Sequence, residues 1–84
     1  MRGTWQAVYH QPAWDFAESL TKRERHRLND AIGEIRSQPF AEADSEIETV
    51  NERTVFLRVV KNFQVHYWLD VFVKQVVIVR LDRD

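Results

Sequence analysis

The period of the apolar residues changes at Pro39, and that change limits what this chain can fold into. Before it, Ala13, Phe16, Ala17 and Leu20 recur at helical spacing, with Pro12 at the place of a first helical residue, where a missing N–H costs nothing. Thr21 and Glu24 then fit a capping box, so a second helix starts at once and carries Leu28, Ile32 and Ile35 on one face. Pro39 disfavours a helical conformation at Gln38 and ends it. Two helices joined by so tight a link form a hairpin. Ahead of them, Trp5, Ala7 and Tyr9 alternate with Gln6, Val8 and His10, which predicts a strand from Thr4 to His10.

From Arg53 onward Val, Ile, Phe and Tyr dominate, and breaks at Lys61-Asn62 and around Asp70 to Lys74 divide the stretch into three runs. Three antiparallel strands in hairpin succession are expected. In the middle run Phe63, Val65, Tyr67 and Leu69 should face the helices, leaving Gln64, His66 and Trp68 on the other side. In the last run Val76, Ile78 and Arg80 alternate with Val77, Val79 and Leu81, so both faces are partly apolar and the second should be half covered. Between helices and strands, residues 40 to 52 offer only Phe40, Ile47 and Val50 as large apolar groups, which predicts an exposed connection with one or two anchors. With 84 residues the chain has room for one core, so residues 1–84 are expected to form a single α+β domain.

Composition removes several function classes. The absence of cysteine excludes disulfides, thiolate zinc sites and thiol catalysis. No apolar run approaches the roughly 20 residues that cross a bilayer, and the opening MRGTWQAVYHQP lacks the apolar core of a signal peptide, so a cytoplasmic location without membrane contact is expected. Gly3 and Gly33 cannot build a glycine-rich phosphate loop, and His10, His26 and His66 show no ligand spacing; no metal and no cofactor are expected. The net charge of −1 hides an asymmetry. Glu42, Asp44, Glu46, Glu48 and Glu52 give residues 40 to 52 a charge of −5 with no Lys or Arg, so the remainder carries +4.

A strand, a helical hairpin and a meander whose middle strand reads Asn62-Phe63-Gln64-Val65-His66-Tyr67 resemble, in that order, the RelE/ParE superfamily, toxins of type II toxin–antitoxin systems. In that family the segment typically reads Gly-aromatic-Arg-aliphatic-aliphatic-Tyr, after a strand with Leu-Arg, here Leu57-Arg58, and before a β-branched last strand. The resemblance covers nearly the whole chain and implies a β-α-α-β-β-β fold with the helical hairpin packed on an antiparallel sheet. It also implies a growth-inhibiting toxin neutralised by a cognate antitoxin peptide, with which it would form an oligomer. RelE-like members cut messenger RNA on the ribosome; ParE-like members inhibit DNA gyrase. Where the family carries an arginine in the middle strand this chain has Gln64, and Thr54 and Phe56 stand where lysines are usual. The late Tyr or His of active nucleases has no counterpart up to Asp84.

If the resemblance extends to activity, metal-free cleavage of RNA needs a base for the 2′-hydroxyl, cations for the phosphate and an acid for the leaving oxygen. His66 is the residue with a suitable intrinsic pKa, and Arg58, Arg80 and Arg83 complete the expected catalytic set. Lys22, Arg23, Arg25 and Arg27, with His26 among them, concentrate positive charge at the start of the second helix. With Lys61 and Gln64 they are the expected RNA contacts. Trp14 and Trp68 suit packing better than base stacking. Two readings follow: a RelE-like ribosome-dependent endoribonuclease, or a non-nuclease binding module, either a ParE-like gyrase inhibitor or a family member without catalysis, as the missing cations favour.

Overall fold

The structure, a computed structural model, describes residues 5–50 and 53–84. In chain order the elements are β1 (Gln6–Tyr9), α1 (Gln11–Ser19), α2 (Lys22–Ser37), β2 (Ser45–Val50), β3 (Arg53–Val60), β4 (Phe63–Asp70) and β5 (Gln75–Arg83). They form a five-stranded sheet in the order β1-β5-β4-β3-β2, antiparallel except for the β1–β5 pair. Both helices pack on one face, which is the expected α+β architecture. Of the strand expected from Thr4 to His10, Gln6–Tyr9 pairs with β5, and Thr4 lies outside the described residues.

Local chemistry sets the helix ends where the sequence placed them. Pro12 sits in the first turn of α1. At α2 the capping box closes in both directions: Thr21 Oγ1 accepts from the Glu24 N–H at 3.2 Å, and Glu24 Oε1 accepts from the Thr21 N–H at 3.0 Å. The Gln38 N–H still donates to Glu34 O at 3.1 Å, and Pro39 follows. Leu28, Ala31, Ile32 and Ile35 from α2 and Ala13 from α1 then meet Phe63, Val65, Tyr67, Val76 and Ile78 from the sheet in one core. Phe63, Val65 and Tyr67 thus face the helices as their alternation implied, with Leu69 packed beside the core.

Two features depart from the sequence reading. Residues 40 to 52 are not wholly a connection, because Ser45–Val50 pairs antiparallel with β3 across a bulge between Glu46 and Glu48. An edge strand is held by backbone hydrogen bonds on one side, so a charged segment can be a strand without an apolar signature. Asn51 and Glu52 lie outside the described residues. The second departure is in β5, where His66 of β4 pairs with Arg80 but Tyr67 pairs with Ile78, leaving Val79 as an extra residue. That bulge turns Leu81 into the core with Val76 and Ile78, and sends Arg80, which simple alternation would have put with them, to the outer face.

The turns carry the backbone strain. Lys61 and Asn62 have φ of 50° and 71°, the two positive values of the tight hairpin turn that suits the sheet's twist. In the β4–β5 turn the Asp70 carboxylate accepts from the Phe72 N–H at 3.2 Å, and Lys74 closes the turn at φ 55°. No described helix covers the outer face; Val55 and Val77 are nevertheless buried there among neighbouring side chains, with the Arg53 guanidinium lying 4.1 Å above the Trp68 ring.

Candidate nucleic-acid interface

The sheet divides the expected catalytic residues between its two faces. Arg58 is paired with Val65 and so points to the helix side, where it donates to the Gln38 carbonyl at 3.3 Å. Its charge also works against the burial that pushes the Tyr67 phenol up. Arg83, paired with Phe63, points to the same side and forms an ion pair with Glu24, its guanidinium 5.8 Å from the Phe16 ring. The bond from Arg83, together with the Thr21 amide, holds the Glu24 carboxyl down at about 2.

His66 and Arg80 are cross-strand partners on the outer face, and the structure brings these two together. Arg80 Nε lies 2.8 Å from the Asp82 carboxylate, and His66 Nε2 lies 4.0 Å from the same group. Burial pushes the imidazole below its ordinary value, with Asp82 acting against that shift and Arg80 adding to it. His66 Nε2 is itself buried without a hydrogen-bond partner. Gln64 sits next along the strand, paired with Asp82 in the sheet, and donates to Asp84 at 3.2 Å. The group can therefore hold a neutral imidazole, yet that nitrogen is shielded and its neighbouring cation is already matched by a carboxylate. Strict alternation along the last run would put Asp82 on the helix side; its place beside His66 depends on the Val79 bulge.

A second cluster is built differently. Arg23, His26 and Arg27 are spaced to share one face of α2, and with Lys61 and Asn62 of the β3–β4 turn they line an open groove of about 550 Å³. Asp30 is the carboxylate in that lining. Among the described residues no ion pair engages Arg23, Arg27 or Lys61. Lys22 is exposed at the first position of α2, whereas Arg25 turns away and donates to the carbonyls of Glu18 and Leu20, at 3.3 and 3.5 Å, across the link between the helices. Of the six residues expected to contact RNA, the structure gathers Arg23, Arg27 and Lys61 in one place and adds His26. No group of three His, Asp or Glu side chains among the described residues is placed to hold a metal ion, and no described helix is long and apolar enough to cross a membrane.

No family model and no curated protein matches the sequence. Solved structures do match the shape. A chain of the archaeal RelE–RelB complex from Pyrococcus horikoshii OT3 superposes with a TM-score of 0.70 at 16% identity, over 96% of each chain. The RelBE2 toxin–antitoxin complex of Mycobacterium tuberculosis gives 0.72 at 17%, over 98% of this chain and 100% of the other. The isolated E. coli RelE toxin gives 0.71 at 11%, over 94% and 83%. The chain has the RelE fold. Within the RelE fold, identities this low carry the arrangement of elements and leave the site to be argued from its own residues.

Proposed function

We propose that this chain is the toxin of a toxin–antitoxin pair, and that it acts by binding RNA through Arg23, Arg27 and Lys61 rather than by cutting it. The toxin assignment is supported by the RelE fold, since the matching structures are a RelE–RelB complex, a RelBE2 toxin–antitoxin complex and a RelE toxin. The partner is accordingly an antitoxin. The observation that carries the binding reading is a contrast in charge pairing. The cations of the groove have no carboxylate bound to them among the described residues, whereas Arg80 and Arg83 are each in an ion pair and Arg58 is bonded to a carbonyl. Stabilising a pentavalent phosphate needs cations aimed at the developing charge, and a cation bound to a carboxylate has little left to give. Attraction of a phosphate backbone needs only unpaired positive charge in an open groove.

A second reading is favoured by one observation, the cross-strand pairing of His66 with Arg80, which places a base beside a cation as a RelE-like endonuclease requires. The two are separated by induced expression of the chain in its ribosome-bearing host and by anisotropy with a labelled single-stranded RNA. On the binding reading the affinity falls with salt at a slope of about −2, roughly 0.7 for each of three phosphate contacts, and replacing Arg23, Arg27 and Lys61 by Ala abolishes both binding and growth arrest. Intact messenger in arrested cells is expected. Messenger cut at ribosome-occupied codons, with relief by His66→Gln, would establish the nuclease instead. Altered supercoiling with DNA damage would move the target from RNA to gyrase.

A further inference from the structure

The end of the sheet away from the basic groove carries a site of opposite character. Along β4 the two ends, at Phe63 and Asp70, are separated by roughly 23 Å. Beyond α2 the loop from Pro39 to Ala43 and the start of β2 stand off the helix-side face of β3 and β4, leaving a cavity of about 350 Å³. Phe56, Tyr67 and Leu69 form its apolar lining on the sheet, and no residue of α1 or α2 lines it. Phe40 lines it from the loop and is 70% exposed, touching the Trp5 ring edge-on at 5.4 Å. An aromatic left this open beside an apolar cavity lacks a partner for most of its surface.

The rim of the cavity is acidic. Glu42 and Glu46 line it and are exposed, and residues 37 to 52 contain no Lys or Arg. Arg58, which points to the same face, is held at the Gln38 carbonyl. Among the described residues β2 is the last strand of the sheet and no strand lies beside its outer backbone groups, so an extended segment can pair there with alternate side chains entering the cavity.

We infer that this cavity docks a cationic segment of a partner protein, one that sets a large apolar side chain against Phe40, Phe56 and Tyr67 and places Lys or Arg beside Glu42 and Glu46. The charge selects the occupant, because an acidic segment or a nucleic acid would be repelled by the rim. The site is independent of RNA binding at the far end and adds a second, protein-directed surface to the RelE fold.

The test uses the full chain and two synthetic peptides, one alternating Lys with Leu and Phe, the other with Glu in place of each Lys. Anisotropy is expected to show binding at least about tenfold tighter for the Lys peptide, from the complementary charge at the rim. Phe40→Ser is expected to weaken that binding about thirtyfold, the loss typical of an aromatic anchor at an interface, with unchanged circular dichroism. The pair Glu42→Gln and Glu46→Gln should weaken it about fivefold and flatten its salt dependence. None of these changes touches Arg23, Arg27 or Lys61, so RNA binding serves as the control and its own failure leaves the cavity result intact. Equal affinity for both peptides, or undiminished binding by Phe40→Ser, overturns the proposal. So does concentration-dependent self-association abolished by Phe40→Ser, which would make a second copy of the chain the occupant.

Discussion

On the helix side of the sheet Arg83 reaches Glu24 in the first turn of α2 and Arg58 reaches the Gln38 carbonyl at its last, so two arginines hold the helix at its two ends. On the outer side Arg80 and His66 share one carboxylate, Asp82, with no described helix above them. The covered face spends its cations on fixing α2 over the core, while on the outer face Arg80 is matched by Asp82 and Arg53 lies over the Trp68 ring. The same residue types therefore carry different consequences according to the face they occupy. The basic groove belongs to neither face: Arg23 and Arg27 at the start of α2 meet Lys61 there, and no ion pair engages them among the described residues.

The largest effect that tests this division is on the core. Ile78→Ala, fully buried on the helix side, is expected to cost about 2–5 kcal/mol in urea denaturation, because the cavity it leaves lies between a helix and a sheet that cannot both collapse. For a chain of this size that is a large share of the whole stability. Val59→Ala on the outer face, where the side chain is exposed, should stay within about 0.5 kcal/mol. Equal losses at the two positions would show that the outer face is covered in solution, and the comparison would fail.

Next come the groups that hold the ends of α2. Thr21→Ala removes the hydroxyl that caps Glu24 N–H and is expected to cost about 1 kcal/mol. Arg58→Ala should cost a similar amount, roughly 1 kcal/mol, by freeing the Gln38 carbonyl, while Arg80→Ala stays near zero because its exposed ion pair contributes little. Thermal denaturation checks all three. If Arg58→Ala instead left stability unchanged and abolished growth arrest, Arg58 would act on a ligand and the nuclease reading would gain its missing cation.

How much of this was legible depended on how local the cause is. Pro12, the Thr21 and Glu24 pair and Pro39 act within a turn of their own positions, and the helices end where those residues require. β2 escaped because its strand character comes from pairing with β3, while its own residues, Glu46 and Glu48 among them, read as a solvated loop. The face of Arg80 escaped for a related reason. Val76, Val77, Ile78 and Val79 are apolar in succession, so the run carries no alternation from which a bulge at Val79 could be read. Residue type made His66 a candidate from the sequence; its partner Asp82 and its shielded nitrogen are products of that bulge.

The smallest effect expected is also the one that reads the outer face most directly. Burial favours the neutral form of His66 in the folded chain, while the unfolded chain takes up its proton near the ordinary 6.5. The unfolded state then binds more protons over the interval between the two values, so stability is fully present above about 6.5 and is lost as the pH falls through the lower folded value. Urea midpoints taken from about pH 7.5 to about pH 5.5 should decline, and the decline should be shallower in His66→Gln. Glu24 does not confuse this window, since its own loss of stabilisation runs from 4.5 down to about 2. The neighbours sharpen the assignment: Asp82→Asn removes the charge that favours protonation and should steepen the decline, whereas Arg80→Ala removes a repulsion and should soften it. A decline identical in His66→Gln would mean that the imidazole does not titrate with folding, and the outer face would then be more open than its buried nitrogen implies.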